Sequence, residues 1–327
     1  MKNIYLILSV FVIIFSACET DFDVNATWEE VTVVYGLLDA GDGKELQQIK
    51  ISKAFLGNMD ALQMAQYADS INFDAKDSVT VKIVRNKNNG DTDTVPLSPV
   101  TTIRDGGIFN DTIIIYEFLN NNFLKSDSEY ELLIENKVTG NVVTGHTEMI
   151  SGVSFDGLKN GYKFGFYNAD PILQDSTKYL SKRIDWNHST NGKIYQVDMV
   201  FEYSENGELK NLIWSQPLVT SDGNAMNTLL EGKKFFTFLR NSIIKDATKH
   251  RNFVNIDLIM TVGTTDLETY INVNQPITGI VQERPQFSNI NHGIGIFSSR
   301  FTHVRSDVLL NDWTKDYLIE ELDRNFE

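Results

Sequence analysis

The sequence predicts a mainly β protein: a β-sandwich, then a second β-rich domain with helical insertions and a C-terminal helix. Three observations predict it. Short runs rich in Val, Ile, Thr, Tyr and Phe recur along the 327 residues, separated by clusters of Gly, Asn and Asp. Several of these runs alternate apolar with polar residues, the period of a strand with one buried face. A 3.6-residue period marks few stretches, and one of them closes the chain.

Residues 30–38 are β-branched and aromatic, and the 39–43 cluster Asp-Ala-Gly-Asp-Gly ends them in a turn. Residues 46–52 follow, with Ile49 and Ile51 on one face. Residues 58–68 carry helix formers and predict a short surface helix. Residues 79–84 alternate cleanly, and the turn-rich stretch 86–90 joins them to 92–95 as a hairpin. Residues 113–118, 129–134 and 141–147 complete about seven strands in roughly 120 residues, the pattern of an immunoglobulin-like β-sandwich over 28–149.

A second domain is expected over 150–327. Residues 153–155 open a strand after a Gly-containing junction. Residues 182–186 and 194–203, with Asn191-Gly192 between them, read as two paired strands. In the second, Tyr195, Val197, Met199 and Phe201 share a face. Residues 209–214 follow a Glu-Asn-Gly turn. Residues 228–246 read as helical, 252–262 as a central strand, and 267–272 as a short strand or helix. Trp313, Tyr317, Leu318 and Leu322 form a stripe that predicts a closing helix over 313–326.

The first residues are of another kind. Lys2 precedes an apolar run from Ile4 to Phe15, followed by small Ser16 and Ala17 and then Cys18. This is the layout of a secretory signal, and the run is shorter than the roughly 20 residues a membrane-spanning helix needs. Phe15-Ser16-Ala17-Cys18 resembles the lipobox of bacterial lipoproteins, with Phe15 in place of the usual Leu. The resemblance implies removal of residues 1–17 and lipidation of Cys18. Cys18 is also the one cysteine of the chain, which excludes an intramolecular disulfide. Residues 18–27 then form an acidic tether. Glu19, Asp21 and Asp23 resemble the sorting signal that, in Bacteroidota lipoproteins, accompanies export to the outer face of the outer membrane; a periplasm-facing anchor is the alternative.

Charge and motif content exclude several functions. The formal net charge is −15, from 29 basic and 44 acidic residues. Nucleic-acid binding needs clustered Lys and Arg, and this balance argues against it. The five histidines, at 146, 188, 250, 292 and 303, show no compact metal spacing, although His146 and Glu148 share a strand face. Asp39 with Asp42, and Asp91 with Asp93, lie in turns and offer hard oxygen ligands for Ca²⁺, but neither pair matches an EF-hand loop. They read as solvated turn acids. The chain has no Gly-x-Ser-x-Gly elbow. Trp186 and Trp214 sit in strands and read as core, whereas Trp28 and Trp313 carry no such assignment. No catalytic residue, metal site or cofactor is expected.

The run 285–301, Pro-Gln-Phe-Ser-Asn-Ile-Asn-His-Gly-Ile-Gly-Ile-Phe-Ser-Ser-Arg-Phe, is the most distinctive internal feature. Gly293 and Gly295 within it predict a buried strand with a close backbone approach or a bulge. No third glycine or Gly-Lys-Ser/Thr follows, so it is not a phosphate loop. The run resembles the C-terminal signature of an uncharacterised family of Bacteroidota envelope lipoproteins, a domain of unknown function. That resemblance implies a surface or envelope lipoprotein associated with outer-membrane transporters, and it carries no activity over to this chain. The expected function is therefore a non-catalytic, lipid-anchored binding or assembly module held to the outer membrane, with an outer-membrane protein as partner. A surface hydrolase acting on polysaccharide or peptide and a structural spacer are the alternatives.

Overall fold

A computed structural model describes residues 30–54, 71–74, 78–103, 112–159, 161–276 and 286–327. The expected signal segment 1–17, Cys18, the acidic residues Glu19, Asp21 and Asp23, Trp28 and the helix expected over 58–68 lie outside the described residues.

The protein is mainly β. The first half contributes β1 (Val31–Asp39), β2 (Leu46–Ala54), β3 (Val79–Lys87), β4 (Thr92–Pro96), β5 (Ser98–Ile103), β6 (Thr112–Leu119), β7 (Ser128–Asn136) and β8 (Val142–Glu148). The second contributes β9 (Lys163–Phe164), β10 (Ser181–Trp186), β11 (Ile194–Glu205), β12 (Glu208–Ser215), β13 (Val219–Thr220), β14 (Met226–Glu231), α1 (Gly232–Ser242), β15 (Arg251–Gly263), α2 (Thr265–Asn274), β16 (Ile290–Asn291), β17 (Gly293–Leu310) and α3 (Asp312–Glu320).

A ten-stranded sheet runs through the whole molecule in the order β12-β11-β15-β17-β1-β2-β6-β5, with β13 and β9 at its margins. A five-stranded sheet, β16-β8-β7-β3-β4, packs on part of it. The apolar side chains divide into two clusters. One draws on Val34, Ile49, Ile51, Tyr116, Ile83, Leu132 and others up to Met149, and also on Ile290 and Phe297. The other begins at Ile150 and includes Val197, Met199, Phe201, Leu258, Met260, Phe235, Phe236 and Leu318. Burying side chains of this size contributes roughly 1.5–3 kcal/mol each.

β17 belongs to both halves. Its 18 residues pair in parallel with β1 over Gly293–Arg300 and antiparallel with β15 from Arg300 onward. Phe297 lies in the first cluster and Phe301 packs on the second. Four residues apart in a strand of period two, they point to the same side. One face of the large sheet is thus covered twice: first by the five-stranded sheet, then by α1, α3 and the β10-β14 ribbon. The opposite face carries α2.

Gly295 shows why the strand needs glycine at that point. Its φ is +116°, and a Cβ there would overlap the Val34 carbonyl oxygen. At Gly293 a Cβ would lie 2.8 Å from the Thr32 carbonyl oxygen. The close backbone approach expected of this pair is present, against β1.

Several elements differ from the sequence reading. β5 falls in none of the predicted runs because nearly all its residues are exposed, so no alternation marks it. Residues 153–155 form no strand and make one bridge, Phe155 to Trp186. β10 does not pair with β11. It pairs with β14, whereas β11 pairs with β12, β13 and β15. Asn191 takes the positive φ of a turn, +62°, but that turn carries the chain from one layer to another instead of closing a hairpin. The helix expected over 228–246 is divided between β14 and α1. The joint is Gly232, where a Cβ would overlap the carbonyl oxygens of Phe166 and Leu180. The 267–272 segment is helical, and the Thr264 hydroxyl caps it by accepting from the Leu267 N–H at 3.4 Å. α3 stops at Glu320, although Leu322 and Phe326 still reach the core.

Candidate functional site: a cleft beside the β1–β17 clasp

Where β17 passes from one half to the other, the turn after β1 grips it. Asp39 is 3 % exposed. Its carboxylate accepts from Arg300 Nε at 2.9 Å, from Thr302 Oγ1 at 2.7 Å and from the Thr302 N–H at 3.1 Å. The Asp39 N–H and carbonyl are both bonded to the buried Gln47 side chain, at 2.8 and 2.9 Å. Asp42 extends the grip. Its N–H donates to the Thr302 carbonyl at 2.7 Å, and its carboxylate accepts from the Val304 N–H at 3.0 Å and meets His303 Nδ1 at 2.8 Å. Gly41 between them rests on the β17 backbone, where a Cβ would overlap Thr302.

The clasp forms one wall of a cleft of about 370 Å³ on the face that carries α2. Tyr35 and Leu37 of β1, Leu46 and Gln48 of β2, Ile296 and Arg300 of β17, and Leu267 and Tyr270 of α2 line it, with Lys44 at the turn. The rings of Tyr35 and Tyr270 meet edge to face, with centroids 6.4 Å apart and planes at 74°. Burial pushes the Tyr270 phenol up, and the neighbouring Tyr35 adds to it, so Tyr270 keeps its proton at ordinary pH. Arg300 engages Asp39 through Nε alone among the described contacts, and its side chain is 40 % exposed. Glu117, beyond the rim, accepts from Gln48 Nε2 at 3.1 Å. Among the described residues Asp39 is the carboxylate lining the cleft, and it is already paired, so they offer no acid–base couple of two carboxylates there.

The residues singled out in the sequence are dispersed. Asp39 and Asp42 do come together, but their oxygens face protein donors. Asp93 receives Arg85 at 2.5 Å and Lys87 at 3.0 Å. The Lys87 hydrogen bond, chiefly, lowers its carboxyl below the usual value. Asp91 accepts from the Asn89 amide. No group of three or more His, Cys, Asp or Glu side chains suited to a metal occurs among the described residues. His146 meets Glu129 at 3.2 Å across β7 and β8. Trp186 is fully buried, Trp214 stacks on Phe238, and Trp313 is 45 % exposed.

Tyr35, Lys44, Tyr270 and Arg300 were not singled out by sequence. Tyr35 sits on the outward parity of a strand whose other face is core, and Arg300 is the next-to-last residue of the run 285–301. Those are the local signals available. Their convergence depends on the β1–β17 pairing, which local pattern does not encode.

No protein-family model matches the chain, and no curated protein matches it. Among solved structures it is similar to a DUF4785-family protein from Legionella pneumophila, at 13 % identity over 70 % of this chain and 51 % of that one, with a TM-score of 0.20. The chain spans about half the length of that protein, whose family is itself one of unknown function.

Proposed function

We propose that the chain is a non-catalytic, lipid-anchored binding module of a bacterial cell envelope, attached through Cys18 to the outer membrane and displayed beside an outer-membrane transporter. The observation that carries this reading is the position of the chain's lone cysteine, directly after an apolar run and two small residues. Two or three acyl chains on it make a stable anchor, because each buried CH₂ contributes roughly 0.8 kcal/mol. β1 begins at Val31, 13 residues beyond Cys18 (31 − 18), so the tether spans at most about 45 Å at roughly 3.5 Å per residue. Among the described residues no helix is long and apolar enough to cross a membrane. The cleft beside the clasp supports binding as the task, since it is built on paired strands and lies open.

The test is metabolic labelling with a palmitate analogue. Wild-type chain takes the label and Cys18→Ala does not; label on the variant overturns the anchor. Protease shaving of intact cells tests the address, with Glu19, Asp21 and Asp23 all changed to Ala expected to reduce cleavage. A rigid spacer is the second reading, favoured by the passage of β17 through both halves. It leaves the cleft without a role.

A further inference from the structure

The clasp and the cleft together present a cation that is fixed in place yet unsaturated. Arg300 is oriented by Asp39, and Asp39 is itself held by the Thr302 N–H and hydroxyl, with its backbone bonded to Gln47. A guanidinium offers five N–H donors in one plane. Nε is spent on Asp39, and no described contact takes the two Nη groups. Lys44 lies on the same cleft, and no ion pair with a described residue takes its ammonium. The remaining surface is amphipathic: the edge-to-face pair Tyr35 and Tyr270, Leu46, and the Gln48 amide. In a chain of net charge −15, the described lining carries two cations against the one already paired carboxylate. Arg beside aromatic faces suits a planar anion on a ring, because the fork meets the carboxylate while the ring lies against phenol edges. The volume is at the lower end of small-molecule sites, about 300–1,000 Å³.

We propose that this cleft binds a ring-borne carboxylate, the Arg300 guanidinium and Lys44 ammonium taking the anion and Tyr35 and Tyr270 taking the ring. A uronic acid unit of an acidic polysaccharide fits best, since the phenols and the Gln48 amide offer hydrogen bonds to ring hydroxyls. The inference rests on the binding-module reading and gives that module its ligand class.

Isothermal titration of the full chain in detergent micelles tests it, with sodium galacturonate, sodium benzoate, glucose and sodium acetate as probes. Galacturonate is expected to bind saturably, and glucose and acetate at least tenfold more weakly. Benzoate binding with galacturonate silent keeps the ring carboxylate and makes its source aromatic. Equal binding of glucose, equal binding of acetate, or no binding of either ring carboxylate overturns the proposal. Arg300→Gln disturbs the clasp as well as the cleft, so Lys44→Gln and Tyr270→Leu serve as the informative variants. Neither side chain has a described hydrogen bond or ion pair with Asp39, and each substitution is expected to weaken galacturonate about tenfold while leaving the melting temperature in place. Unchanged affinity in both variants also overturns the site. Palmitate labelling at Cys18 reads the anchor independently, so a silent cleft on a labelled protein sinks this inference and leaves the anchored-module reading standing.

Discussion

Arg300 Nε donates to Asp39 Oδ2 at 2.9 Å, across 261 positions of sequence. The contact fastens the turn after β1 to the point where β17 leaves the sandwich. Asp39→Asn keeps the shape but removes the charge that Arg300, Thr302 and the strand backbone share. A buried charged hydrogen bond is worth about 1.5–3 kcal/mol, so the variant is expected to lose roughly 2 kcal/mol in urea denaturation. A chelator is expected to leave the melting temperature of the wild type unchanged, because protein donors already occupy the Asp39 oxygens. A drop of several degrees would show a bound cation.

Gly295→Ala combines a positive φ with a Cβ that overlaps the Val34 carbonyl. Neither relaxes without unpairing β1 from β17, the seam of the large sheet. A loss of at least about 3 kcal/mol is expected, seen as loss of soluble chain or a large fall in denaturation midpoint. Gly90→Ala makes the control: its φ is +86°, but a Cβ there meets nothing within 4 Å. Similar losses in both variants would assign the effect to φ alone.

Arg251 closes the C-terminus. Its side chain is 2 % exposed, and its guanidinium reaches Glu205 Oε2 at 2.8 Å, the Arg324 carbonyl at 2.6 Å and the Ile244 carbonyl at 3.2 Å. Its backbone bonds Asn325 and Glu327. Arg251→Met is expected to cost about 3 kcal/mol and to speed amide exchange over residues 322–327. Exchange unchanged there would separate the tail from the ion pair. The Lys210 hydrogen bond, with Arg251 adding to it, holds the Glu205 carboxyl below its ordinary 4.5. Its contribution is therefore complete above that pH and is lost as the pH falls through the lowered value.

The buried phenols act at the other end of the scale. Burial, with the Asp74 charge adding, pushes Tyr116 up to about 12, and the hydrogen bond to Tyr317, then burial, pushes Tyr179 up to about 12. Unfolded phenols ionise near 10. Between these values the folded state keeps protons that the unfolded state releases, so stability is full below pH 10 and falls as the pH rises toward 12. Tyr116→Phe removes one such group and is expected to flatten the decline. Its hydroxyl has no hydrogen-bond partner among the described residues, so at pH 7 the change is expected to be neutral or stabilising. Parallel slopes for variant and wild type in denaturation from pH 9 to about 11.5 would contradict this.

Legibility followed the range of the physics. Alternation in residues 79–84 and 194–203 marked β3 and β11, because period two is a local consequence of one buried face. The exposed β5 had no such mark. Asn191-Gly192 named a turn, as its φ requires, but not the layer the chain would enter. Asp39 and Asp42 were visible as paired turn acids. That they grip β17 depends on a strand more than 250 residues away, and Arg300 and Tyr270 enter the cleft by the same route.

By itself, then, the sequence determined the strand-rich composition, the turns and the single cysteine after an apolar run, all of which are properties of neighbouring residues. Tertiary structure decided that one strand, β17, serves both halves, that Asp39 pairs with Arg300, and that a cleft with an unsaturated cation lies beside them. A hydrophobic pattern states which face is buried. What it is buried against is chosen by global packing, where each long-range contact must offset the entropy of closing its loop.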